Sequence, residues 1–144
     1  MEKIQSASEE LKNIAKSKRI PNAILLSGNG KNKLRSALDF FKTILTEGEE
    51  GDRKLKLEKM CESYSHPDLH FIFPIPSSTK PVENRCDFYY NKWREALTDM
   101  GVELTMNKWI EKLDCGNKQP FIGVNSVESL SQKLIISAFE KKHK

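Results

Sequence analysis

An α/β fold is what this sequence predicts, on three observations. Ala23-Ile24-Leu25-Leu26 is a short unbroken apolar run that leads into Ser27-Gly28-Asn29-Gly30. A run without alternation, closed by a turn, suits a strand buried on both faces of a parallel sheet. A second such run, Leu69-His70-Phe71-Ile72-Phe73, opens after His66-Pro67-Asp68. Stretches with apolar residues three and four apart stand before, between and after the two runs, which is helical spacing.

In chain order, Ile4, Ala7, Leu11 and Ile14 mark a first helix that Pro21 stops, with Lys16, Lys18 and Arg19 crowding its negative end. Leu34, Ala37, Leu38, Phe41 and Leu45 mark a second, so the order is strand, glycine turn, helix. Residues 47–53 have nothing to bury and read as an exposed connection. Leu57, Met60, Cys61 and Tyr64 form another stripe. Pro74, Pro76 and Pro81 stiffen the loop after the second run. Tyr89, Trp93, Ala96 and Leu97 predict a further helix, and Met106, Trp109, Ile110 and Leu113 a short one. Phe121–Val124 reads as extended, and Asn125 with Glu128 as a capping box opening a final helix through Leu130 and Leu134.

At 144 residues, 38% hydrophobic and 31% charged, the chain has the length and composition of one soluble domain. No apolar run approaches the roughly 18 residues of a bilayer span, and Met1-Glu2-Lys3 leads into a polar segment rather than a secretory signal. Three cysteines without CxxC spacing fit a reduced, cytoplasmic protein. The net charge of +4 lies in residues 1–60, since residues 61–144 balance. So small a surplus permits a phosphate-facing patch without requiring nucleic acid; a solvated lysine-rich surface is the plainer reading.

A phosphate-binding loop needs G-x-x-x-x-G-K-[ST]: glycines so that backbone N–H groups curl around phosphate, a lysine for the outer phosphates, a hydroxyl for magnesium. Counting from Gly28 puts Lys33, Leu34 and Arg35 where glycine, lysine and the hydroxyl belong. Anchoring on Lys33 puts Asn32 and Leu34 in the flanking positions, and anchoring on Gly30-Lys31 puts Leu25 at the first glycine. Every register fails twice or more. Gly28, Gly30, Lys31 and Lys33 are therefore a degenerate remnant, from which no productive ATP–magnesium binding is expected.

Other chemistry is sparse. His66 and His70 flank a proline and stand roughly 13 Å apart at about 3.3 Å per extended residue, too far to share a zinc. Cys61, Cys86 and Cys115 have no histidine pair beside them, so no metal site is expected. There is no Gly-x-Ser-x-Gly elbow and no catalytic pairing of carboxylates. Trp93 and Trp109 sit among apolar neighbours and read as core. No catalytic residue is nominated.

The order of segments nevertheless resembles one family. Leu11-Lys12-Asn13-Ile14, followed by Arg19-Ile20-Pro21-Asn22-Ala23-Ile24-Leu25-Leu26-Ser27-Gly28, is similar to the opening of bacterial clamp-loader AAA+ subunits. There a helix precedes an R-x-x-H-A-x-L-F-x-G-P-like strand and the phosphate loop. His66-Pro67-Asp68-Leu69-His70-Phe71-Ile72-Phe73-Pro74 matches their His-Pro-Asp strand, and Ile122–Leu130 their entry into the next helix. Within the group the delta-prime subunits of DNA polymerase III are most alike. The resemblance implies a three-layer P-loop NTPase (AAA+) fold, with residues 1–144 as the N-terminal portion of that domain. Residues 47–64 would be a remnant of the zinc-module region and 74–120 a family-specific insertion.

It further implies a part in DNA replication: a structural stator in loading the sliding clamp on primed DNA, docked against gamma/tau and delta subunits, without a membrane. The activity would then be that of the parent polymerase holoenzyme, a nucleotidyltransferase, with none in this chain. The degenerate loop suits delta-prime subunits that bind no nucleotide, and a lone Cys61 where many relatives carry four zinc-binding cysteines argues against zinc. The chain stops at Lys144, before the Walker B strand of relatives, so the predicted fold is incomplete and its uncovered strands are expected to drive self-association. Two alternatives stay open: an active gamma/tau-type P-loop ATPase, and a small stand-alone binding protein unrelated to replication.

Overall fold

Leu11 and Ala15, four residues apart, are the buried positions of the first helix, α1 (Ala7–Ser17), in the computed structural model, which describes residues 7–28 and 33–136. Glu9 and Glu10 in its first turn and Lys16 in its last complement the helix dipole. The chain divides between His66 and Pro67 into two units.

In the first unit, α1 packs on α2 (Lys33–Thr46), and α2 on α3 (Gly51–Glu62). Ser8 and Lys12 line a groove with Thr43, Thr46 and Glu47, so the start of α1 lies by the end of α2. The connection to α3 closes at Glu50, and Gly51–Arg53, expected as loop, already belong to the helix. Leu45, Leu57 and Cys61 bury together against Phe41, each large aliphatic contributing roughly 1.5–3 kcal/mol. Lys42 Nζ reaches Glu62 Oε1 across α2 and α3 at 3.3 Å.

The end of α3 explains how His66 is placed. Ser65 N–H donates to Met60 C=O at 2.9 Å and Tyr64 N–H to Cys61 C=O at 3.1 Å, with Tyr64 left-handed at φ 55°. This crossed pair is a Schellman ending with tyrosine where glycine is usual. It turns the chain so that His66, 2% exposed, meets the Phe41 ring edge-on at 5.9 Å.

The second unit is built on aromatic side chains. Phe73 stacks on Trp93 at 4.5 Å, and Trp109 stands edge-on to both at 5.1 and 5.0 Å. Trp93 comes from α4 (Cys86–Met100) and Trp109 from α5 (Met106–Leu113). Both are buried, as the apolar spacing predicts. Trp109 Nε1 donates to Pro74 C=O at 2.8 Å, tying the proline loop to the core. Thr105 caps α5 by accepting from Lys108 N–H. The final helix, α6 (Val124–Ile135), starts one residue before the expected capping box, with Gly123 at the cap and no side-chain capping bond.

The two apolar runs differ from expectation. Residues 23–26 belong to no helix and form no strand ladder among the described residues, and Leu25 is 90% exposed rather than buried. Residues 69–73 likewise form no strand ladder among the described residues, although Phe73 is buried. Among the described residues the one strand-like pairing is an antiparallel bridge in which Ile75 and Phe121 exchange both bonds, at 3.1 and 3.0 Å. A ladder needs neighbours, and Pro74 and Pro76, on either side of Ile75, leave its opposite edge without N–H donors. None of the described helices is long and apolar enough to cross a membrane.

Candidate functional site

The glycine turn is the one place where the sequence nominates ligand-binding residues. Gly28 has φ +125°, a conformation side chains rarely adopt, and an added Cβ would meet open space. Gly30 and Lys31 lie outside the described residues. Lys33 is the first residue of α2, and its ammonium donates to the Gly28 carbonyl.

Lys33 is thus engaged by its own backbone, whereas a phosphate loop turns its lysine to the outer phosphates. Arg35, where the magnesium hydroxyl belongs, pairs with Asp39 at 3.4 Å; Ser36, the first hydroxyl of α2, comes one position late. Both charged groups of the first turn are cations, and no acid accompanies them. At the positive end of a helix dipole each is mildly unfavourable, by about 0.3–1 kcal/mol.

The other candidates are dispersed. His66 is buried in the first unit, and His70 is half-buried in the second. Burial pushes the Cys61 thiol up to about 11, with Lys42 pulling it back in part. Cys86, also buried, donates to Phe73 C=O at 3.3 Å and approaches Ser126 Oγ at 3.5 Å. Among the described residues, no three His, Cys, Asp or Glu side chains converge to hold a metal.

Two arrangements have no counterpart in the sequence reading. Asp87 of α4 meets Lys133 and Ser129 of α6, an ionic clasp between residues more than forty positions apart. Partial burial pushes the Asp87 carboxyl up, but the Lys133 ammonium and Ser129 hydroxyl outweigh it and hold the group below the usual carboxylate range. The other is an open groove of about 550 Å³ over α1, α2 and α3, in which Lys12, Lys42 and Lys54 face Asp39, Glu47 and Glu58. Its mixed charges suit water better than a ligand of one sign. Periodicity within a segment carries no signal for either, because both join separate elements.

Comparison with curated proteins and with solved structures gives no match. A family model described as DNA polymerase III, delta subunit, matches residues 3–144. With nearly the whole chain inside that match, the protein belongs to the DNA polymerase III delta subunit family, the clamp-loader subunits of DNA replication.

Proposed function

We propose that the chain is a delta-prime-like stator of the DNA polymerase III clamp loader, holding its place beside gamma/tau and delta subunits in the cytoplasm while those subunits hydrolyse ATP to load the sliding clamp on primed DNA. The observation that carries this reading is Lys33. Its ammonium is spent on the Gly28 carbonyl, and the following side chains, Leu34 and Arg35, offer magnesium no oxygen. Lys33 and the two side chains after it thus lack the chemistry of a nucleotide loop. The fold that goes with the reading is the three-layer AAA+ arrangement. Residues 23–26 and 69–73 are then strands whose neighbours are not among the described residues, and the unbroken apolar composition of both runs supports that assignment.

Two measurements test the reading. Titrating the chain with ATP and magnesium in a calorimeter is expected to give no binding heat; a one-to-one isotherm would instead make this an ATPase subunit. Mixing it with gamma/tau and delta subunits is expected to yield a co-eluting complex that loads clamps, and a Lys33→Met variant should load them equally well. Failure to co-elute would remove the stator role.

A further inference from the structure

The polarity of α6 is reversed with respect to its packing. Its inward side chains are largely polar: Ser126 is buried and receives the Cys86 thiol, and Ser129 and Lys133 hold Asp87 of α4. Its exposed side carries Val124, Val127, Ser131, Leu134 and Ile135, which fall within an arc of about 100° on a helical projection. An apolar stripe of that width ordinarily faces a core. The spacing of Val124, Val127, Ser131 and Leu134 is three, four and three, the seam with which one helix meets another in a coiled coil. Phe121, half exposed, lines a cleft with Val124 and extends the patch past the start of the helix.

We propose that this stripe is the contact between two copies of the chain, which pack as an antiparallel pair of α6 helices crossing at Ser131. The area is sufficient for it. Phe121, Val124, Val127, Leu134 and Ile135 are 47–84% exposed, which at roughly 200 Å² for a bare large side chain leaves roughly 600 Å² per copy. A symmetric pair then covers roughly 1,200 Å², the area of a small stable interface. No member of the stripe is charged, so a second copy meets it without repulsion. The small Ser131 at the crossing lets the two backbones approach. An antiparallel arrangement sets Phe121 and Val124 of one copy against Leu134 and Ile135 of the other and opposes the helix dipoles, and each copy uses the same patch, as a two-fold contact requires. The pairing does not rest on the stator reading; gamma/tau and delta subunits are the competing occupants.

The test is cross-linking of the 144-residue chain with Cys115→Ser, since Cys61 and Cys86 are buried. Adding Ser131→Cys should give a disulfide-linked dimer under mild oxidation. Adding Val127→Cys instead should not, because its two copies stand about 12 Å apart along the axis at about 1.5 Å per residue, beyond the roughly 7 Å between Cα atoms that a disulfide spans. In sedimentation equilibrium, Leu134→Asp should weaken the pair at least about tenfold, as both copies lose the contact. Leu55→Asp, the same change at an exposed leucine of α3, should leave it unaltered; circular dichroism confirms that both variants fold. Four outcomes overturn the proposal. These are a clean monomer at high concentration, equal weakening by Leu55→Asp, self-linking of Val127→Cys as fast as Ser131→Cys, and labelling of Ser131→Cys that is blocked only when gamma/tau or delta is added, which would assign the stripe to a neighbouring subunit. Pairing is read without nucleotide or clamp, so a failed stator reading leaves its result standing.

Discussion

Single residues here reveal their surroundings through protons and sulfur. With its thiol raised to about 11 by burial, Cys61 is almost wholly protonated at neutral pH, and Cys86 is buried and hydrogen-bonded. Cys115 is the more accessible of the three. Thiol labelling followed by mass mapping should therefore modify Cys115 first, with Cys61 and Cys86 reacting only on unfolding. Asp87 is expected to show itself in acid. Its carboxyl titrates lower in the folded chain than in the unfolded one, so its contribution is present above the ordinary carboxylate value of about 3.9 and fades as pH falls through the lower folded value. Asp87→Asn should lack that part of the acid-unfolding curve, which stability measured by urea titration across this range would show. No pattern in the sequence announces the pairing, because Asp87 and Lys133 become neighbours only when α4 and α6 pack. Lys33 was legible as a residue of interest; its bond to Gly28 was not, since spacing says nothing about which acceptor an ammonium finds.

Elements were legible where their periodicity is local. The stripes through Leu11, Leu45, Leu57, Trp93, Trp109 and Leu130 each coincide with a helix, because i, i+3, i+4 spacing depends only on the segment itself. The runs at 23–26 and 69–73 carry strand-like composition, yet a strand is a property of a pair, and neither run forms a strand ladder among the described residues. Proline sets one local limit: Pro74 and Pro76 deny N–H donors to a further strand on the edge of Ile75 opposite Phe121. The proline loop is tied to the aromatic core by Trp109 Nε1, which donates to Pro74 C=O. Trp109→Phe keeps a ring in the stack but strands that carbonyl, and should lower unfolding free energy by about 1–3 kcal/mol in denaturant titration.

For the whole molecule, the balance of apolar surface is the informative quantity. Leu25, Val124, Ile135 and Ile136 are 90%, 72%, 84% and 66% exposed, large apolar side chains that a second copy of the chain would cover. Sedimentation velocity at rising concentration should accordingly show species heavier than 16.6 kDa, and a clean monomer at high concentration would contradict this. Family and general role were readable from segment order, and the family match agrees at the level of clamp-loader subunits.

The aromatic stack has a practical consequence of its own. Both tryptophans belong to one cluster, in α4 and α5, and residues 1–66 contain none. Ultraviolet emission excited at the indole band therefore watches the second unit and is blind to the first, whereas backbone ellipticity registers the helices of both. A mismatch between the two melting curves would time the loss of each unit without any label being attached.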